Sequence, residues 1–195
     1  MFERASLIRN IGRATGQTTY GHQLVASNWR LGGLQGALLV SQFKKFPEYA
    51  KRRDENIRSF TEALKGIEGI TGEVEDKRQT KRGCYFYICD FDAAKFGCSR
   101  DKFIEAVRAE GFESVMAGYG RPIYKEAAFA PDRLRPFVHH SVALPDYNAL
   151  CLPNSEKWAD RQVVFLHYYF NLDKAATLKI VEAIKKIKAN VSELA

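Results

Sequence analysis

The 195-residue sequence has no apolar run approaching the length of a membrane-spanning helix. Its opening, MFERASLIRNIGRATG, is too charged for the apolar core of a secretory signal, so the cytoplasm is the expected compartment. Its four cysteines, Cys84, Cys89, Cys98 and Cys151, contain no C-x-x-C pair, and the nearby histidines complete no metal-ligand spacing. Reduced thiols packing as small apolar side chains are expected, with no metal. Low-complexity tracts and recognised nucleic-acid motifs are also missing, so the formal charge of +7 is the only argument for a nucleic-acid partner. The same charge suits a site that receives phosphates, or a solvated surface. Lys174, Lys179, Lys185, Lys186 and Lys188 of the last helical stretch fit the solvated surface.

What is present is apolar and aromatic content enough for a sizeable core, in one ordinary domain or one lobe of something larger. The organising stretch is Ser27 to Lys65. Leu31, Leu34, Leu38 and Leu39 recur at helical spacing, and Ser27 or Asn28 can cap the helix they imply. Pro47 lacks an N–H, which predicts a kink or a fresh helix start. Beyond it, Ile57, Phe60 and Leu64 form an apolar stripe.

Along the rest of the chain, Phe2 to Ile11 reads as the end of a helix, with a polar loop over residues 12 to 27. Gly69 to Asp76 reads as a short extended piece, and Lys77 to Arg82, including Lys81, as a charged turn. Cys84 to Phe91 is the clearest strand; both its faces are largely apolar, which predicts an interior strand. Ser99 caps a helix to about Glu110 with Phe103, Ile104 and Val107 facing inward and Gly111 as the stop signal. Phe112 to Met116 and Val163 to Phe170 read as further strands. The proline-rich stretch 130 to 153 is expected to be irregular. Asp173 caps a last helix whose stripe is Thr177, Ile180, Val181, Ile184, Ile187 and Val191. Strands alternating with helices predict an α/β lobe with a small, mainly antiparallel sheet.

Several local patterns resemble one family. Asn28-Trp29-Arg30 followed by GGLQGA and a long helix ending near Arg52-Arg53 resembles N-[YWF]-R-M-x-x-L-Q-A-A of the pyridoxal-phosphate aminotransferases of the DegT/DnrJ/StrS type, which act on keto-sugars and cyclitols. Leu31 stands where Met is usual. Arg9-Asn10-Ile11-Gly12-Arg13 matches that family's R-N-H-G-R, with Ile11 in place of His. SRDKFIEAVRAEGF, the loop AGYGRPIYKEAAF, CLPNSE and VVFLHYYFNLD carry the likeness through the rest of the chain, the last leaning toward enzymes that aminate cyclitols or build aminated carbocycles.

The resemblance implies a type I pyridoxal-phosphate transferase fold. Residues 1–30 would end the large cofactor-binding domain, 31–65 form a kinked connecting helix, and 66–195 the C-terminal small domain. It also implies pyridoxal 5'-phosphate as cofactor, a small-molecule keto-sugar or cyclitol and an amino donor as substrates, and a homodimer or a complementing N-terminal half as partner. In the family the Schiff-base lysine and the acid facing the pyridinium nitrogen lie upstream of R-N-H-G. Neither is therefore expected here, and Lys44, Lys45 and Lys81 are no substitutes. Asn28 is the candidate donor to the cofactor phosphate of a partner subunit, with Arg30 assisting; the plainer reading of Asn28 is a helix cap. Tyr119 and Tyr124 are candidates for substrate contact or for packing. His167 reads as a core histidine or as a hydrogen-bonding group near the substrate. Trp29 is expected to pack the loop, and His139 and His140 have no assigned role. A truncated or split transaminase competes with a non-catalytic dimerisation or support lobe.

Overall fold

A computed structural model describes residues 1–16, 20–80 and 82–194. Gln17, Thr18 and Thr19 of the polar loop and Lys81 of the charged turn lie outside the described residues. The chain divides into two compact units, Met1–Glu48 and Tyr49–Ala195.

The first unit holds helix α1 (Phe2–Arg9), a loop, and the opening of helix α2 (Gly33–Leu64). The helix runs through Pro47, so no fresh helix starts there. Proline removes the bond to the carbonyl of Phe43, and that residue sits in solvent, where water can replace the lost donor. Nor does Asn28 cap α2. Its start lies at Gly33, where the Gln35 side chain accepts the Gly32 N–H at 3.0 Å.

The second unit is built on a four-stranded sheet in the order β1 (Ile70–Thr71), β2 (Phe86–Phe91), β4 (Gln162–Leu166), β3 (Val115–Met116), with every neighbouring pair antiparallel. Strand β2 is interior, as its two apolar faces predict. Its register against β4 sets Tyr87 opposite Phe165 and Cys89 opposite Val163, which places all four in the core. Helices α3 (Ala93–Phe96), α4 (Arg100–Ala109), α5 (Pro131–Leu134), α6 (Pro153–Arg161) and α7 (Lys174–Ala189) complete the regular elements. Ser99 and Asp173 cap α4 and α7 through their side chains, by accepting the N–H of Lys102 and Ala176. The predicted strands at 112–116 and 163–170 are shorter in fact. Phe112 to Ser114 stay outside β3, and β4 gives way at His167 to a 3-10 turn, His167–Asn171.

The core is aromatic. Phe60, fully buried, meets the rings of Tyr87, Phe165 and Phe170 at centroid distances of 5.1, 5.5 and 5.3 Å. Burying such a side chain contributes about 1.5–3 kcal/mol. One helical turn earlier, buried Asn56 donates to the carbonyls of Phe170 (3.0 Å) and Leu172 (2.8 Å), satisfying a turn that no strand completes. Cys84, Cys89 and Cys98 are buried free thiols, and burial pushes that of Cys84 up to about 11, so it packs as a protonated group. Cys151 is exposed. Among the described residues no helix is long and apolar enough to cross a membrane.

Candidate functional site

In the first unit the loop after α1 folds back on itself and brings two sequence motifs together. Gly12 has φ +79°, and a Cβ there would sit 2.0 Å from the Leu24 carbonyl oxygen, so only glycine fits that approach. Before it, Ile11 holds φ +54°, a conformation that costs a β-branched residue about 1–3 kcal/mol. His22 Nδ1 lies 2.6 Å from the Ile11 carbonyl; because a carbonyl can only accept, that ring nitrogen carries the proton. The returning chain then pairs Asn10 with Asn28 as an isolated antiparallel bridge, and Trp29 donates its N–H to the Arg9 carbonyl at 3.0 Å.

At this junction Asn28 uses only its acceptor: Oδ1 takes the Arg30 N–H at 3.2 Å. Its Nδ2 group is exposed and has no partner among the described residues. The Arg30 guanidinium, also exposed, rests on Asn10 Oδ1 through Nε (2.7 Å) and Nη2 (2.5 Å). The setting is cationic, because residues 1–48 contain six Lys and Arg against two Glu, Glu3 and Glu48. That uneven distribution was readable in the sequence. Trp29 does not pack the loop; it is 70% exposed.

The second unit places the remaining candidates differently from one another. Tyr119 is 82% exposed on the loop that follows β3. It sits next to Gly118, whose φ of +65° favours glycine. Tyr124 on the same loop is buried, and its hydroxyl donates to Glu156 Oε1 while accepting the Leu152 N–H at 3.2 Å. Lys125 Nζ reaches the same carboxylate at 2.9 Å. The hydrogen bonds from Tyr124 and Lys125 hold the Glu156 carboxyl below its ordinary value, and the Glu156 bond raises Lys125. Desolvation, then the Glu156 bond, raises the Tyr124 phenol, so it remains a neutral donor. Tyr124 therefore ties the loop to α6. Tyr124 is a candidate by sequence, whereas nothing in the sequence marks Glu156 as its partner.

His167, at the end of β4, stacks on Tyr85 with ring centroids 5.6 Å apart and an interplanar angle of 18°. Its Nδ1 is buried without a partner among the described residues. His139 and His140 lie against each other at 4.2 Å in the proline-rich connection. Asn28 and Arg30 thus form one cluster, Tyr119 and Tyr124 share a loop, and His167 stands apart with Tyr85.

A groove of about 900 Å³ in the second unit runs beside β1 and includes none of these residues. Its arginines already have carboxylate partners: Arg58 with Asp54 and Glu75, Arg82 with Glu73, and Arg161 with Asp90 and Asp92. Ion pairing of that kind suits a structural seam better than an anion site. Among the described residues no cluster of His, Cys, Asp and Glu could hold a metal ion.

The Asn28–Arg30 corner fits an anion with several oxygens. An unused amide N–H₂ and a guanidinium with free N–H groups are both exposed at a loop leading into a helix. They fit the phosphate end of a pyridoxal phosphate. They do not supply an amine to hold its aldehyde, and Lys44 and Lys45 lie exposed on α2.

Comparison with known proteins gives a consistent setting. The profile of the DegT/DnrJ/EryC1/StrS aminotransferase family matches residues 1–185. A Streptoalloteichus tenebrarius protein provisionally named as an L-glutamine:3-amino-2,3-dideoxy-scyllo-inosose aminotransferase is 28% identical, over 98% of this chain and 47% of its own length. Its Streptomyces kanamyceticus counterpart, with the same provisional name, is 27% identical over 100% and 48%. Among solved structures, 3-amino-5-hydroxybenzoic acid synthase superposes with a TM-score of 0.74 at 21% identity, covering 96% of this chain and 47% of that one. PseC, the Helicobacter pylori aminotransferase involved in pseudoaminic acid biosynthesis, gives 0.69 at 20% identity, covering 96% and 46%. The chain spans about half the length of the relatives it matches.

Proposed function

Starting from the fact that this chain belongs to the DegT/DnrJ/EryC1/StrS aminotransferase family, we propose that it is the C-terminal half of a pyridoxal-phosphate-dependent transaminase acting on a keto-sugar or cyclitol. When bound, the cofactor would supply the electron sink that lets an amino group move between donor and keto-substrate. The contribution of residues 1–195 is to grip its phosphate and border the substrate. Asn28 donates through Nδ2 and Arg30 through its guanidinium, toward the cofactor held by a partner subunit or a complementing N-terminal half. The free amide of Asn28 beside Arg30 carries this reading.

The lysine that anchors the cofactor comes from polypeptide outside these residues, as does the acid that faces its ring nitrogen. On the substrate side Tyr119 offers an exposed hydroxyl, while Tyr124 and Glu156 fix the loop that presents it. His167, stacked on Tyr85 with a buried and unpartnered Nδ1, is the remaining candidate for the substrate side. The assembly works in the cytoplasm, as a dimer, without nucleic acid or membrane partners.

The test is Asn28→Ala in an enzyme completed by its N-terminal half. A charge-assisted hydrogen bond contributes about 1.5–3 kcal/mol, so cofactor dissociation measured by dialysis and absorbance should weaken correspondingly. Unchanged retention removes Asn28 from the phosphate site.

A second reading, a non-catalytic dimerisation or support lobe, is favoured by the solvent-facing Leu31, Leu34, Leu38, Phe43 and Phe46 along one helix. Complementation decides between them: restored transamination supports the enzyme half, and assembly without turnover supports the lobe.

A further inference from the structure

One side chain sews the Arg9–Arg13 segment to the Asn28–Arg30 segment. Asn10 Nδ2 donates to the Arg13 carbonyl at 2.9 Å, and Asn10 Oδ1 accepts from Arg30 Nε and Nη2 at 2.7 and 2.5 Å. The orientation of this amide follows from its neighbours, since the reverse would aim an N–H₂ group at a guanidinium and an oxygen at a carbonyl. The Asn10–Asn28 bridge fixes the two segments in register beneath it.

Two properties of this clamp bear on the phosphate. It occupies two of the five guanidinium donors, which leaves three N–H groups for a ligand. It is also neutral. A carboxylate in the same position would make the forked ion pair that arginine forms readily, and the charge of Arg30 would be spent inside the protein. Among the described residues no Asp or Glu pairs with Arg30, and the two glutamates of the unit lie at its opposite sequence ends, at Glu3 and Glu48.

Resting on the phosphate reading above, we propose that Asn10 is a positioning residue: it aims Arg30 through a neutral acceptor, so that an uncompensated guanidinium and the free amide of Asn28 bind a phosphate dianion together. Asn10 itself touches no ligand. Its effect passes through the direction and the charge of Arg30.

The experiment titrates the 195-residue chain with inorganic phosphate and follows the Asn28 side-chain amide, the Arg30 Nε–H and the Trp29 indole by NMR. The proteins are wild type, Asn10→Asp, Asn10→Ser, Arg30→Gln and the Asn10→Asp/Arg30→Gln double variant. Wild type should show saturable shifts at all three groups. Asn10→Asp should weaken binding about tenfold or more, because the new carboxylate cancels the guanidinium charge. Asn10→Ser, still a neutral acceptor, should lose less than about threefold. The double variant should bind no more weakly than Arg30→Gln alone, because with the guanidinium gone there is nothing left for the carboxylate to cancel. Wild-type affinity should rise with pH as the phosphate monoanion becomes the dianion, and that rise should flatten in Asn10→Asp.

Asn10→Asp binding as tightly as wild type overturns the proposal and leaves the roles of Asn28 and Arg30 standing. Asn10→Ser losing as much as Asn10→Asp also overturns it, since the clamp would then be only a structural prop. A wild type with no phosphate response overturns both this proposal and the phosphate reading it rests on.

Discussion

The two units of the chain treat the same residue types in opposite ways. In Tyr49–Ala195 a cluster of large aromatics turns inward, although Tyr85, Tyr119 and Phe137 stay exposed. Phe60, Tyr87, Phe91, Phe96, Phe103, Phe165 and Phe170 are essentially without solvent contact. In Met1–Glu48 they turn outward: Phe2 is 84% exposed, Trp29 70% and Phe43 75%, and helix α1 buries no residue at all. The first kind of unit is held by its own core. The second is held by hydrogen bonds of a returning loop and leaves its leucines and phenylalanines on helix α2 facing solvent.

The strongest way to break the comparison is to empty the inward unit. Phe60→Ala should cost about 3–5 kcal/mol, read by chemical denaturation with a signal from the sheet. A loss below about 1 kcal/mol would mean that the ring cluster is not the core it resembles. Next in size comes Asn56→Ala, which strips the carbonyls of Phe170 and Leu172 of their donor, at a cost of about 1–3 kcal/mol in the same assay.

The edge of that unit responds to pH. Glu73 is half-buried, accepts the Ile88 N–H at 3.3 Å where β1 has ended, and lies 3.5 Å from Arg82. Burial raises its carboxyl above the ordinary value against the weaker pull of the Ile88 bond and Arg82. A raised folded value means that its contribution is fully present below the unfolded pKa, about 4.3, and is lost as pH rises through the folded one. Glu73→Gln should therefore gain stability relative to wild type across that mildly acidic window, with a flatter profile from pH 4 upward. Parallel profiles for the two proteins would show that Glu73 titrates as though free.

The smallest expected effect sharpens the contrast from the other side. Leu34 is 91% exposed, and Leu34→Glu should change the stability of the isolated chain by no more than about 0.5 kcal/mol. The same substitution should reduce any self-association or capture of an N-terminal half, measured by sedimentation. Large destabilisation of the isolated chain would show that the stripe is already covered.

The inward unit was the more legible in sequence because its signals are local. Ser99 and Gly111 bracket α4, Asp173 caps α7, and the apolar stripe from Thr177 to Ile187 is buried, whereas Val191 falls half-buried in the 3-10 turn beyond α7. The two largely apolar faces of Cys84 to Phe91 placed β2 inside the sheet. Strand lengths were overestimated because β propensity does not reveal where a partner strand ends, so Phe112 to Ser114 at the edge and His167 to Phe170 beyond the interior β4 leave the ladder. Pairings across distance were not legible. Nothing near Tyr124 announces Glu156, 32 residues later, and nothing in the spacing of Asn10 and Arg30 announces their clamp across 20 residues. Family resemblance flagged both motifs of the outward unit, yet the geometry alone shows that Asn28 spends its oxygen on Arg30 and keeps its amide free.

The account's central claim is that these residues grip a phosphate while the covalent anchor of the cofactor lies in other polypeptide. It is tested most directly by mixing the purified 195-residue chain with pyridoxal phosphate, reducing with borohydride and reading the intact mass. The account predicts no stoichiometric attachment, whereas one cofactor bound to a single lysine of this chain would contradict it.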